Sequence, residues 1–164
     1  MKSITFIIGS ILFSPLLFGQ CDIHNKVQPD GSMVYFFEAT PFYTTKSKSL
    51  KINIVTDKEN YFIALQPFPF PPKEEGKKIK DDLIIELSDN NKYKLEHFDT
   101  RYIKNDSIMQ VLFMIDKKDL EAFSLFEAVS ADINMKGTEF IRKYAFKLHK
   151  KAIMKQLACF LKDE

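Results

Sequence analysis

Tryptophan is absent from this chain of 164 residues, and glycine and cysteine are scarce, with five and two residues. Five glycines and seven prolines are too few for a collagen-like chain or a low-complexity disordered chain. No repeat with a period of roughly 20 to 50 residues occurs, which excludes a solenoid or a propeller. The length instead suits a single domain with one hydrophobic core. A chain of this size can bury about two thirds of its unfolded surface, so it does not need a dense disulfide framework to fold.

An excess of charge of either sign is also lacking. The sequence has 24 basic and 22 acidic side chains, which gives a formal net charge of +2. So small a charge provides no long-range field that would attract nucleic acid or an anionic membrane. We therefore expect no nucleic-acid partner.

Catalytic and metal-binding motifs are missing as well. The chain contains no Gly-x-Ser-x-Gly, no His-Glu-x-x-His and no glycine-rich phosphate loop. Its histidines, His24, His97 and His149, are isolated, whereas metal sites need several converging ligands. A dispersed triad of Ser107, His97 and Asp99 is imaginable, but any chain offers such triples by chance. We therefore predict no catalytic residue, no metal site and no cofactor.

The chain begins with a positive residue and an apolar run. Lys2 is followed by a roughly fifteen-residue apolar stretch that ends at Phe18, and then by the small Gly19. The run is shorter than the ~20 apolar residues of a membrane span, and Pro15 interrupts it. We predict a signal peptide over residues 1–19 and a single globular domain over residues 20–164, secreted or periplasmic, with no transmembrane helix in the mature chain.

Both cysteines would remain after cleavage, near opposite ends of the mature chain. Export permits disulfides, so the default expectation is a bridge between Cys21 and Cys159. Two alternatives stay open. Cys21 could carry a lipid, as in an outer-membrane lipoprotein, although Gln20 stands where such signals have a small residue, or both cysteines could remain as buried thiols.

The 16 phenylalanines and six tyrosines favour β-structure, and apolar residues alternate with polar ones along much of the chain. Residues 50–54 and 61–65 are predicted to form one hairpin, and residues 83–87 and 92–98 a second hairpin around a Ser-Asp-Asn-Asn turn. The almost continuous apolar run over residues 108–115 predicts a central strand that is buried on both faces.

Two segments have a helical pattern. Asp116 is a suitable N-cap for a short helix near residues 117–126. The residues of this segment that are expected to face the core are Leu120, Phe123 and one of Leu125 and Phe126. Near residues 149–162 an apolar stripe repeats at helical spacing. We therefore predict a β-rich α+β fold, in which about 8–9 strands form a twisted antiparallel sheet or a partly closed barrel and a C-terminal helix packs on it.

One segment has an unusual composition. Residues 67–72 alternate proline with Phe68 and Phe70, and they are predicted to form a loop because prolines lack the donors of an interior strand. The two phenylalanines either fold back over a sheet edge as a lid or present exposed aromatic rings to a partner. The candidate binding loop of this chain is therefore the segment around Phe68 and Phe70.

These observations favour a non-enzymatic exported module over an enzyme. Such a module would bind a protein, an envelope component or an apolar small molecule through its sheet face or its aromatic loop, or would serve as an accessory subunit of an envelope assembly. The alternative is a small secreted hydrolase-like enzyme whose active site is dispersed along the chain.

Overall fold

The computed structural model describes residues 21–76, 81–134 and 141–162. Its strands are β1 (His24–Val27), β2 (Met33–Phe36), β3 (Thr40–Thr44), β4 (Ser49–Thr56), β5 (Tyr61–Phe68), β6 (Leu83–Leu87), β7 (Lys92–Ile103), β8 (Ile108–Ile115), β9 (Ala128–Asn134) and β10 (Ile141–Ala145). Its helices are α1 (Lys73–Gly76), α2 (Leu120–Leu125) and α3 (Ala152–Leu161). The predicted signal peptide, and a turn that a Lys-Gly-Thr sequence predicts at residues 136–138, lie outside the described residues.

The strands form one twisted antiparallel sheet in the order β1-β2-β4-β5-β8-β7-β6-β9-β10, with β3 beside β4. The predicted β-rich α+β class is confirmed, with ten strands in the described residues in place of the predicted eight or nine. The sheet is open, so of the two predicted forms the open sheet is adopted. The segment after β10 nevertheless reaches β3: the Phe42 carbonyl accepts hydrogen bonds from the backbone N–H groups of Lys147 and Leu148, both at 3.3 Å.

The predicted central strand is confirmed as β8, which lies between β5 and β7. On one face of the sheet, Val111 and Phe113 join the main hydrophobic core. On the other face, Leu112 packs in a smaller apolar cluster with Phe62 and Ala64. Since successive residues of a strand point to opposite faces, a continuous apolar run is what a strand buried on both sides requires.

Strand β4 changes partners along one edge, from β3 at residues 49–52 to β2 at residues 55–56. Ile54 lies between these two pairings. Its carbonyl accepts a hydrogen bond from the Phe37 N–H at 3.3 Å. Its own N–H donates to the side-chain oxygen Oε1 of the buried Gln156 at 2.7 Å. Helix α3 therefore supplies the acceptor that neither neighbouring strand provides at this position.

Replacing Gln156 with alanine is expected to lower the free energy of unfolding by about 1–3 kcal/mol, because the buried N–H of Ile54 then lacks an acceptor. Chemical denaturation measures this change. The matched control is Lys155→Ala, an exposed position on the same helix, for which we expect a change of about 0.5 kcal/mol or less. Equal losses in the two variants would contradict a role for the Gln156 contact.

Both predicted helices begin later than expected. The N-cap of α2 is Asp119, and the predicted N-cap at Asp116 is wrong: its carbonyl accepts a turn hydrogen bond from the Asp119 N–H at 2.9 Å. The Asp116 carboxylate pairs instead with Lys118 at 3.0 Å. Before α3, His149 has a φ of +48°, a left-handed conformation that a right-handed helix does not contain.

Candidate functional site

A disulfide joins Cys21 to Cys159 of α3, with Cα atoms 5.9 Å apart. The predicted bridge is confirmed, and neither cysteine is a buried free thiol. The bridge uses the sulfur atom to which a lipid at Cys21 would be attached, so the two arrangements exclude each other. Within residues 21–76, 81–134 and 141–162, no helix combines the length and the apolar character needed to cross a membrane.

A cleft of about 270 Å³ lies between the bridged N-terminal arm, which comprises residues 21–27 and includes β1, the rest of the sheet and α3. Its aromatic walls are Tyr35 of β2, Tyr61 of β5 and Phe160 of α3, and Ile23 of the arm adds an aliphatic surface. The rings of Tyr61 and Phe160 meet edge to face, with centroids 6.4 Å apart. The other residues that line the cleft are Asn25, Thr56 and Lys58. We call this space the aromatic cleft.

Packing behind the walls fixes their positions. The ring of Phe37 meets Phe160 edge to face at a centroid distance of 5.0 Å. Tyr61 belongs to the main hydrophobic core, and Gln156, about one turn before Phe160, ties α3 to β4 through the hydrogen bond to Ile54. Two walls of the cleft, Tyr61 and Phe160, are therefore held by the core, and a largely preformed space is typical of ligand sites.

The rim of the cleft is the tight turn between β4 and β5. The Thr56 hydroxyl donates to the Asn60 carbonyl at 2.7 Å and accepts from the Lys58 N–H at 2.9 Å. Asp57 accepts from the backbone N–H groups of Glu59 and Asn60 at 2.9 and 2.7 Å. Partial burial opposes ionisation of Asp57, but the hydrogen bonds from Asn60 and Glu59 outweigh it and hold the pKa of this carboxyl below its usual value. The turn is thus ordered by its own side chains.

The turn places one positive charge beside an aromatic wall. Lys58 has a left-handed φ of +79°, which its hydrogen-bonded neighbours hold in place. Its ammonium nitrogen lies 4.8 Å from the centroid of the Tyr35 ring, in a cation–π contact. The cleft therefore combines apolar walls with a cation at its rim.

A larger cavity of about 310 Å³ lies over β6, β9 and β10. Its carboxylates already have partners: Asp132 pairs with Lys143 at 3.1 Å, and Glu86 accepts a hydrogen bond from the Ser130 hydroxyl at 3.1 Å. These are cross-strand pairs of the kind that stabilise a sheet surface. The residues that line this cavity are Ile84, Glu86, Lys92, Ser130, Ala131, Asp132, Lys143, Tyr144 and Ala145.

Tyr144, which also borders this cavity, is almost fully buried and packs edge to face on Tyr43 with ring centroids 5.3 Å apart. Burial raises the pKa of its phenol, although the positive charge of Arg142 acts in the opposite direction. The phenol therefore stays protonated at neutral pH and is not a proton acceptor there.

The imagined catalytic triad is not brought together. Ser107 lies in the turn between β7 and β8 and donates to the Lys104 carbonyl at 2.7 Å. His97 is six residues from the end of β7, so roughly 20 Å of strand separates it from that turn. Asp99 pairs with its strand neighbour Arg101 at 2.6 Å. None of these residues lines either cavity described above.

The two phenylalanines of the candidate binding loop differ in their surroundings. Phe70 folds back against Tyr102, with ring centroids 6.0 Å apart, as the lid interpretation predicts. Phe68 is 55% exposed, as the recognition interpretation predicts. The predicted loop was wrong in one detail: Pro67 and Phe68 belong to β5. This is possible because β8 stops pairing with β5 at Leu65, so only β4 is hydrogen-bonded to that end of the strand.

The loop and the aromatic cleft lie at opposite ends of β5. The strand runs from Tyr61 at the cleft to Phe68, a distance of roughly 23 Å at the usual rise per residue. A substitution at one end therefore serves as a control for the other. Sequence reasoning identified the loop and the bridge but not the cleft, although the bridge pointed to the arm that forms one side of it.

In the described part of the chain, no three histidine, cysteine or acidic side chains converge as metal ligands would. His24 lies 3.8 Å from Asp22 in the exposed arm, and His97 bonds to Thr100 at 2.8 Å within its own strand.

No protein-family model, no curated protein sequence and no solved structure matches this chain.

Proposed function

We propose that this chain is an exported, non-enzymatic binding module that holds a small apolar ligand in the aromatic cleft. The observation that carries the proposal is the convergence of aromatic side chains from three separate elements on one space of about 270 Å³. Binding sites for small molecules are concave, mostly apolar and supplied with a few polar groups, and the cleft has this composition.

Export is supported by two features. The apolar run over residues 4–18 after Lys2 has the pattern of a signal peptide. The disulfide is of a kind that persists in oxidising compartments, such as the cell exterior or the periplasm. We therefore propose that the protein acts outside the cytoplasm.

A neutral aromatic probe, naphthylacetamide, is expected to bind in the aromatic cleft. In NMR titrations, the signals of Ile23, Tyr35 and Tyr61 should shift, because these residues line the space. Tyr35→Ala removes one wall and should weaken binding roughly 5- to 10-fold, which corresponds to the ~1–1.5 kcal/mol of an aromatic pair.

The matched control is Phe68→Ala, which removes an exposed aromatic ring at the far end of β5. We expect this variant to bind the probe as the parent protein does. Shifts that centre on Phe68, or equal weakening in both variants, would contradict a ligand site in the cleft. Thermal unfolding of Tyr35→Ala establishes that any loss of binding does not come from loss of the fold.

A protein partner is the second candidate, and the exposure of Phe68 favours it. Such a partner, or a neighbouring subunit of an envelope assembly, would contact the end of β5 and leave the cleft free. A pull-down from the native host with Phe68→Ala and Tyr35→Ala separates the two proposals, because only Phe68→Ala should abolish partner capture.

The alternative of a small secreted hydrolase-like enzyme has less support. Its candidate residues Ser107, His97 and Asp99 each bond to a close neighbour in the chain. A hydrolase would need a nucleophile or a paired acid and base around one reacting atom.

A further inference from the structure

The polar side chains that line the aromatic cleft differ in their charge and in the hydrogen bonds that they already make. The Thr56 hydroxyl both donates and accepts within its own turn, at 2.7 and 2.9 Å. Asn25 is a neutral amide on the exposed arm. Among the described residues that line the cleft, Lys58 is the one that carries a full charge. The charge that a bound molecule meets at the rim is therefore positive.

The nearby carboxylates do not cancel this charge inside the cleft. Asp57 does not line the space, and its oxygens accept hydrogen bonds from Glu59 and Asn60, which direct them into the turn. Glu59 is exposed on the same turn and also does not line the cleft. Asp22 lies 3.8 Å from His24 on the arm. Within residues 21–76, 81–134 and 141–162, the lining of the cleft thus includes a cation and no carboxylate.

We propose that the ligand of the aromatic cleft is a small hydrophobic carboxylic acid. Its apolar body packs between Tyr35, Tyr61 and Phe160, and its carboxylate accepts a charge-assisted hydrogen bond from the Lys58 ammonium. The proposal rests on the proposed function, since it assigns the chemical class of the ligand to the same site. A cleft of about 270 Å³ is small among ligand pockets, which favours an acid with one or two rings.

Lys58 is suited to this role because its position is set before a ligand arrives. Its backbone N–H is bonded to Thr56, and its ammonium already lies over the Tyr35 ring. The contact with Tyr35 already restricts this side chain in part, which reduces the freedom that is lost when a carboxylate binds. The ammonium is exposed to solvent, so its contribution to affinity is that of a surface ion pair and depends on the salt concentration.

The test compares naphthylacetate with its neutral isostere naphthylacetamide and with the cation naphthylmethylammonium, by calorimetry or NMR titration. The parent protein should bind the acid most tightly and the cation most weakly. Lys58→Gln should weaken binding of the acid about 3- to 5-fold, and Lys58→Glu should weaken it further, so both substitutions should reduce the preference for the acid over the amide. The control is Lys51→Gln, an exposed lysine of β4 outside the cleft.

The outcomes separate this proposal from the proposed function. If the acid and the amide bind equally, and Lys58→Gln affects neither, the cleft binds apolar molecules but the carboxylate assignment is wrong. Tighter binding of the cation overturns the assignment directly. If none of the three probes binds, the cleft is not a ligand site for such molecules and the proposed function itself fails.

Discussion

Removal of the Cys21–Cys159 bridge is expected to lower the free energy of unfolding by about 2–5 kcal/mol. The bridge closes a loop with a sequence separation of 138 residues, and the chain-entropy model assigns about 5 kcal/mol to a loop of that length. Among the described strands β1 pairs with β2 alone, so besides the bridge the arm is attached through this pairing and through Ile23, which packs against the core. Much of a typical total stability of about 5–15 kcal/mol is therefore at stake.

Chemical denaturation of Cys21→Ser, Cys159→Ser and the double variant measures this loss. Each single substitution removes the whole crosslink, so the three variants should be equally destabilised and the effects should not add. Mass spectrometry of the alkylated parent protein provides the control, because a bridged chain takes up no alkyl group before reduction. Additive losses, or two alkylated cysteines in the untreated parent, would mean that the native protein lacks the crosslink.

The bridge variants should also lose ligand affinity. Ile23 and Asn25 of the arm line the aromatic cleft, and Phe160 on its opposite side follows Cys159 directly in the chain. Loss of the bridge frees one wall of the cleft, whereas Gln156→Ala loosens α3 without releasing the arm. Probe binding is measured at temperatures at which the serine variants remain folded. Weaker binding there, without a comparable loss in Gln156→Ala, would show that the freed wall lowers the affinity and that general destabilisation does not.

The strands that could be predicted from the sequence are those whose side-chain pattern is decided by burial. Ile108–Ile115 is apolar on both faces and is central in the sheet. The β6–β7 hairpin likewise has alternating residues around a turn. By contrast, β1 and β3 were missed: His24–Val27 is mostly exposed, and Thr40–Thr44 contains a proline. Both pair with the next strand along the chain, but β1 is too exposed to show an alternating buried face, and Pro41 argues against a strand at β3.

The aromatic cleft could not be predicted for a related reason. Its walls come from Ile23, Tyr35, Tyr61 and Phe160, so four parts of the chain must meet before the space exists. Taken alone, Tyr35, Tyr61 and Phe160 have the pattern of ordinary strand or helix residues, and Ile23 lies in a polar segment without a regular pattern. The fold class depends on local periodicity and was predictable, whereas the site depends on the order in which the strands pair.

Helix α2 is too short for its sequence pattern to determine which of its residues face the core. The sequence left Leu125 and Phe126 as alternative core residues beside Phe123. The structure buries Phe123 fully and leaves Leu125 58% and Phe126 36% exposed. The helix has only six residues, so one turn faces the core, and Phe126 already has extended backbone at its C-cap. A pattern shorter than two turns cannot specify the width of the buried face.

Replacing Phe123 with alanine is therefore expected to lower the free energy of unfolding by about 3–5 kcal/mol. Its ring is in the main core and lies against Tyr93 at a centroid distance of 5.3 Å, so its loss leaves a cavity that rigid strands cannot close. Phe126→Ala is the matched control, with the same change of side chain three residues later, and should cost about 1 kcal/mol or less. Chemical denaturation distinguishes them: equal losses would mean that Phe126 is as well packed as Phe123, and that α2 faces the core with both its turns.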